Sequence, residues 1–261
     1  MTELQPISKS ELIKDFRAMG VKAGMNLMLH SSLSKIGWVI GGAQTVVSAL
    51  IDIIGKEGTI VMPAATPFCL HPNDWDEAKI RENWIPKIVE HLPVFDLNTT
   101  PTTMGAIPET FRNWPKTLRS DHPISSVSAW GKLSSEITKS HTLEISEGEN
   151  TPYEKVYDLN FEILLLGVGF NRCTMLHFAE SKSKNRRTTT SRYPIFRNTK
   201  RVWVEVEDMG NDNGTYFPKI GASYLKDRKA SMGKIGMADS MLFSARTLVD
   251  YGTSYFDNMN I

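Results

Sequence analysis

A chain of 261 residues with 41% hydrophobic composition can bury a sizeable core, and it reads as one domain spanning 1–261. A net charge of +1 supplies no long-range field to favour nucleic acid, a membrane surface or a cationic ligand, so a charged partner must be met by a local cluster. The two cysteines, Cys69 and Cys173, lack CxxC spacing, which excludes a disulfide framework and a zinc knuckle.

The opening MTELQPISKS has neither the apolar run nor the cleavage site of a signal peptide, and no segment approaches 18 uninterrupted apolar residues. A cytoplasmic location is therefore expected. Ser8 with Glu11 three residues on is a capping box, and Leu12, Ile13 and Phe16 follow at helical spacing up to Gly20, which predicts a helix over 8–19. The apolar run 26–30 is followed by the Ser- and Gly-rich stretch 31–42. A helical pattern through Val46, Leu50 and Ile54 comes next, then a second apolar run, 59–62. This is a βαβ unit whose loop lies beyond the carboxyl end of its first strand. Residues 64–103 read as a long functional excursion with one helix over 85–91. A strand is predicted over 163–166, then the turn Gly167-Val168-Gly169 and a helix from about Thr174. Val202, Val204 and Val206 alternate with Trp203, Glu205 and Glu207 as in a half-buried strand. Helices over 217–228 and 239–251 close the chain, and the expected architecture is α/β with a mixed sheet covered on both faces.

Three segments could carry chemistry. In His30-Ser31-Ser32-Leu33-Ser34-Lys35, hydroxyls and backbone N–H groups between a strand and a helix suit an anion or a carbonyl oxygen. Neither a Walker A loop nor GxGxxG is present. The SxxK match of Ser32 and Lys35 lacks the SDN and KTG companions of a penicillin-recognising hydrolase. In Cys173-Thr174-Met175-Leu176-His177-Phe178-Ala179-Glu180, helical spacing puts His177 and Glu180 on one face, where a carboxylate could orient an imidazole base. The same pair has metal spacing, but no further ligand set accompanies it. Asp121-His122-Pro123 is a turn signal, read as presenting Ser126 or its backbone to a ligand. Glu205 and Glu207 share a strand face, either to receive an ammonium group or simply to meet solvent. The run 181–201, with eight Lys or Arg and no carboxylate, is either a solvated loop and edge strand or a basic rim for an anionic cofactor.

HSSLSKIGWVIGGAQTVVSAL, GTIVMPAAT, TTPTTMGAIPETFR, RSDHPISSVSAWG, GENTPYEKVYDLN, ILLLGVGFNRCTMLHFAE and FPKIG, in that order, resemble the aminoglycoside 3-N-acetyltransferase family over residues 8–255. The resemblance implies a three-layer α/β/α fold distinct from the GNAT acetyltransferases. It implies acetyl-CoA as cosubstrate, no metal, and an acceptor amine such as an aminoglycoside or a similar small polar amine. It implies that Ser31, Ser32, Leu33, Ser34 and Lys35 contact the pyrophosphate and pantetheine of coenzyme A. Thr103, Met104, Gly105, Ser126 and Val127 would then face the acetyl thioester. His177 matches the family's catalytic histidine, with Glu180 beside it and Glu207 turned to the amine. Phe170, Asn171 and Cys173 depart from the polar or acidic residues that many members carry, which bears on the amine more than on the reaction.

Amide formation needs a free amine, so His177 is expected to act as general base, with the thioester oxygen received by the Ser-rich loop or by Ser126. An acyl-CoA thioester hydrolase and a CoA-binding protein of the same fold are the alternatives, and a homodimer is left open. Should Glu207 lie away from the base, the amine-binding acids are sought at Asp74, Asp76 and Asp96.

Overall fold

The computed structural model describes residues 5–75, 80–212, 214–227 and 230–259. Asp76, one of the candidate substrate acids, and Arg228, the expected end of a helix, lie outside these described residues.

Helix α1 (Lys9–Met19) starts on the expected capping box: the Ser8 hydroxyl accepts from the Glu11 amide, and the Glu11 carboxylate accepts from the Ser8 amide. It ends at Gly20, which takes the left-handed conformation that glycine adopts without a Cβ penalty. Strand β1 (Asn26–Ser31) leads into the four-residue α2 (Leu33–Ile36), then α3 (Gly42–Ile54) and β2 (Thr59–Pro63). β1 and β2 pair in parallel, so the βαβ unit stands. The excursion carries α4 (Ile85–His91) as read, followed by α5 (Ala106–Arg112), β3 (Leu118–Arg119), β4 (Val127–Gly131), α6 (Ser134–Thr138) and α7 (Pro152–Asp158). Strand β5 (Glu162–Leu166) and α8 (Met175–Ser181) come next, then the hairpin of β6 (Thr188–Arg197) and β7 (Lys200–Met209), and α9 (Phe217–Asp227). The chain closes with β8 (Ser231–Ile235), β9 (Ala238–Ser244) and α10 (Ala245–Asp257).

The helix expected over 239–251 is thus a strand followed by a helix. Residues 240–244 pair antiparallel with 162–166 of β5, and the Ser244 hydroxyl accepts from the Thr247 amide to start α10. Satisfying the backbone along the open side of β5 outweighs the local helical pattern.

The sheet runs β3-β4-β2-β1-β5-β9-β8, with β1, β2 and β5 parallel and the outer strands antiparallel. Alternation along each strand divides the core into two layers. Leu27, Leu29, Ile60, Met62, Leu164 and Leu166 pack with α1, α3 and α5 on one face. Met28, Val61, Ile163 and Leu165 pack with α7, α8, α9 and α10 on the other. This is the three-layer α/β/α arrangement with a mixed central sheet. Among the described residues no helix is long and apolar enough to cross a membrane.

Candidate active site

The order β2-β1-β5 makes a topological switch point, because the chain leaves β1 toward β2 while β5 flanks it on the other side. The loops beyond the carboxyl ends of these three strands line two cavities. One, of about 460 Å³, is lined by His30, Ser31, Ser32, Leu33 and Ser34 from the β1 loop, by Thr103, Met104 and Gly105, and by Val168, Arg172 and Thr174 beyond β5. The other, of about 690 Å³, is lined by Phe68, Asp74, Trp75, Asn171, His177, Asp212 and Phe217. Thr103, Met104 and Arg172 belong to both walls, so a ligand in one cavity abuts a ligand in the other.

The serine-rich cavity brings together most of the expected cofactor residues. The Ser31 hydroxyl is buried without a hydrogen-bond partner in the chain, and those of Ser32 and Ser34 lie 3.2 Å apart. Helix α2 begins at Leu33; its Lys35 amide donates to the Ser32 carbonyl at 3.2 Å, while the Leu33 and Ser34 amides precede any intrahelical acceptor, and in four residues too short for a useful macrodipole these donors are what matter. Gly167, at φ +67°, lets α2 approach β5: a Cβ there would meet the Lys35 Cβ at 2.6 Å. Lys35 itself lines a neighbouring groove with Gly167, Val168 and Lys234. Ser126 and Val127 line neither cavity. The Ser126 hydroxyl donates to the Ala64 carbonyl and accepts from Arg119 Nε, and Val127 is a core residue of β4 paired with Pro63. They hold the end of β2 in place. The turn expected at His122 is present, its Nδ1 accepting from the Ile124 and Ser125 amides.

His177 sits on α8 with its ring edge against Phe217, centroids 4.6 Å apart, and its Nδ1 is buried without a hydrogen-bond partner in the chain. Burial pushes its pKa down to about 4, while Asp212 and then Asp208 pull it up and Arg187 opposes them. Glu180, one turn along, is fully buried and committed elsewhere. Its oxygens accept from Arg187 Nε at 2.6 Å and Arg187 Nη2 at 2.9 Å. Arg187 Nη2 also lies 3.7 Å from Asp212, and its guanidinium stacks over Tyr216 at 4.5 Å. Asp212 accepts from the Tyr216 and Phe217 amides, which fixes the start of α9.

Glu207 is exposed, as strand alternation requires, and the inward acid of β7 is its neighbour Asp208. Asp208 accepts from the amide and hydroxyl of Ser146 and from the Met209 amide. Ser146 also links it to Glu147, whose carboxyl is pushed up to about 7 by burial and by Asp208. Among the other candidate acids, Asp74 lines the histidine cavity but is held by both Nε and Nη2 of Arg192, and Asp96 caps the turn at Asn98 and Thr99. Of the basic run, Lys182, Lys184, Arg186, Arg197 and Lys200 are exposed, as the solvated reading expects, whereas Arg187, Arg192 and Arg201 tie the hairpin to the rest of the fold. Cys173 is buried, its thiol pushed up to about 12, which leaves it protonated and unreactive at neutral pH.

Asp212 was not singled out from the sequence, although an Asp five residues before the FPKIG helix can cap its start. Arg172, Phe68 and Trp75 carried no local pattern that would mark them.

Two abutting cavities thus lie at the switch point of an α/β/α sandwich, where ligands of such sheets are bound, and the comparisons with known proteins give the class. The profile of the aminoglycoside 3-N-acetyltransferase family matches residues 28–257, and the chain belongs to that family of N-acetyltransferases. The SPbeta prophage-derived aminoglycoside N(3')-acetyltransferase-like protein YokD of Bacillus subtilis is 38% identical, over 97% of this chain and 93% of the relative. The YokD crystal structure superposes with a TM-score of 0.93, covering 97% of this chain and 94% of that one. A binary structure of AAC-IIIb with CoASH is 27% identical, with a TM-score of 0.84 and coverage of 97% of each chain. AAC-VIa bound to sisomicin is 29% identical, with a TM-score of 0.86 over 97% of this chain and 98% of that one.

The buried imidazoles make stability pH-dependent. Burial lowers His30, His122 and His177 to about 4 and His141 to about 3, so below the ordinary value near 6.5 the unfolded chain takes up protons first. Stability should therefore fall as pH drops from about 6.5 toward 4, by at most about 1.4 kcal/mol per pH unit for each imidazole. Glu147 has the opposite sign: raised to about 7, it loses stability as pH rises from about 4.5 through 7. Urea midpoints should decline on acidification, and Glu147→Gln should raise the midpoint more at pH 8 than at pH 5.

Proposed function

We propose that the chain is an acetyl-CoA-dependent transferase that moves an acetyl group to an amino group of a small polar amine, with His177 as general base. The observation that carries this reading is the placement of His177 on the wall of one cavity that abuts a second, serine-rich one. The acetyl thioester supplies an activated acyl carbon. Ser31, Ser32, Leu33 and Ser34 would hold its carrier, with Thr103, Met104 and Gly105 on the facing wall. Support for this fit comes from the unpaired Ser31 hydroxyl and from the CoASH-bound structure of the AAC-IIIb relative. The sisomicin-bound AAC-VIa structure supports an amine in the neighbouring cavity.

In this mechanism His177 is neutral at physiological pH because burial outweighs the nearby acids. It takes the amine's proton at Nε2 as the N–C bond forms, and returns it to the departing sulfur as the C–S bond breaks. Asp212 and Asp208 stabilise the transient imidazolium through their fields. The Leu33 and Ser34 amides at the start of α2 serve as donors to the thioester oxygen, since the Ser126 hydroxyl is already engaged. Glu180 acts through Arg187 on Asp212 and is a positioning residue, and Glu207 is left in solvent. A cytoplasmic location, where acetyl-CoA is at hand, belongs to the same reading, as does a single domain over 1–261.

Steady-state thiol release from acetyl-CoA tests it. His177→Ala should lower kcat about 10² to 10⁴-fold in the presence of an acceptor amine, with acetyl-CoA affinity little changed. Because the imidazole is already neutral, the acidic limb of kcat/KM should move with the pKa of the acceptor when a less basic amine is supplied. Near-normal turnover in the variant would remove His177 from the mechanism, and acetate release without amine would mark a thioester hydrolase. Ser31→Ala with Ser34→Ala should weaken acetyl-CoA binding by about 1 to 3 kcal/mol in calorimetry without changing which amine is accepted. Unchanged cofactor affinity would return that loop to a structural role.

A further inference from the structure

Next to the acids whose fields reach His177 lies one with no part in the proton transfer above. The oxygens of Ser125, Ser146, Glu147 and Asp208 make four close contacts. Ser125 Oγ lies 2.7 Å from Glu147 Oε1, Ser146 Oγ lies 3.0 Å from Glu147 Oε2 and 2.8 Å from Asp208 Oδ1, and the two hydroxyls are 2.8 Å apart. Each such contact is attractive only with a proton between its oxygens, and the two serines supply two. A third must sit on a carboxyl. Oδ1 of Asp208 already accepts the Ser146 and Met209 amides, which is the setting of an anion, so the third proton belongs to Glu147. Burial and the charge of Asp208 act in the same direction and push the Glu147 carboxyl up to about 7.

Besides His177, the titratable groups set against this pair among the described residues stay neutral near pH 7. Tyr153 of α7 donates to the Ser125 carbonyl at 3.0 Å, His141 Nε2 meets the Ser146 carbonyl at 2.8 Å, His122 stacks on His141, and Tyr193 of β6 donates to the Leu143 carbonyl at 3.0 Å. Burial holds both imidazoles well below neutrality and both phenols above it. Glu147 is thus the group of this cluster whose charge changes near pH 7. Asp208 acts on the His177 ring through its field, and a second negative charge joined to it adds to that field, which stabilises an imidazolium.

We propose that Glu147 is a positioning residue for His177: joined to Asp208 through the Ser146 hydroxyl, it strengthens the base when it gives up its own proton to solvent. The inference rests on the acetyltransferase reading above for its effect on turnover, and on the cluster alone for its effect on the ring.

Two readouts test this, one of them independent of turnover. Nitrogen-15 shifts of the His177 ring in the wild-type protein should show a small inflection near pH 7, where the carbon-13 shift of the Glu147 carboxyl moves, and Glu147→Gln should remove it. At saturating amine, the ratio of wild-type kcat to that of Glu147→Gln should rise about three- to tenfold between pH 6 and pH 8.5, the effect of one added charge acting across a neighbouring side chain. Ionisation of the amine cancels in this ratio, because both proteins meet the same acceptor. Glutamine takes the place of the protonated acid and can still donate to Ser146, so the variant should fold, which circular dichroism checks. Should it not fold, the wild-type shifts decide alone. A ratio that stays flat over this range, a Glu147 carboxyl that titrates below pH 5, or a ring that shows no inflection while Glu147 titrates would each overturn the proposal and leave the cluster a structural one. If no amine is acetylated at any pH, the acetyltransferase reading falls, and the same shifts still establish or refute the link to His177.

Discussion

Arg187 is the contact on which the geometry of the site depends. One guanidinium reaches both oxygens of Glu180 on the helix that carries His177, approaches Asp212 at the head of α9, and covers the Tyr216 ring. Glu180 is fully buried, and a buried carboxylate without a partner costs several kcal/mol, so the fold is committed to delivering that arginine. Doing so fixes the separation between the imidazole and the acid beside it. Arg192 performs a similar task farther out, joining β6 to Asp74 and thereby seating the excursion that walls the cavity. Both arginines come from a stretch whose composition alone suggests a solvated surface.

His177 is subject to opposed effects, and their relative size decides its state. Desolvation favours the neutral ring, the fields of Asp212 and Asp208 favour the cation, and desolvation wins. In the proposed mechanism this makes the ring a ready proton acceptor at neutral pH, although a weak base. The acids lower the cost of the imidazolium at the moment it forms, so the pair works as a unit. Cys173, close in sequence to His177, is held as an unreactive thiol by the same desolvation.

Local patterns made much of this legible. The capping box of α1, the βαβ unit, the strand before Gly167 and the helix bearing His177 each follow from short-range rules. Features set by tertiary pairing were not legible. Residues 239–244 fit a helical pattern until β5 is seen to need a partner. Strand parity decides that Asp208 and not Glu207 faces inward, and a one-residue slip in that reading exchanges a buried acid for an exposed one. Ser126 looked like a ligand-facing hydroxyl because nothing in its neighbourhood announces Ala64 or Arg119, which come from distant parts of the chain. Glu180 shares the helix face of His177, as its spacing requires, yet its partner comes from beyond the helix end.

The central claim is that His177 is a neutral imidazole whose basicity is supported by the field of Asp212. Nitrogen-15 chemical shifts of the His177 ring, followed over pH in the wild type and in Asp212→Asn, measure this directly. The account predicts a ring that stays neutral to well below pH 6, and a still lower pKa once Asp212 is neutralised. A ring that titrates near 6.5, or one whose shifts ignore the Asp212 substitution, would contradict it.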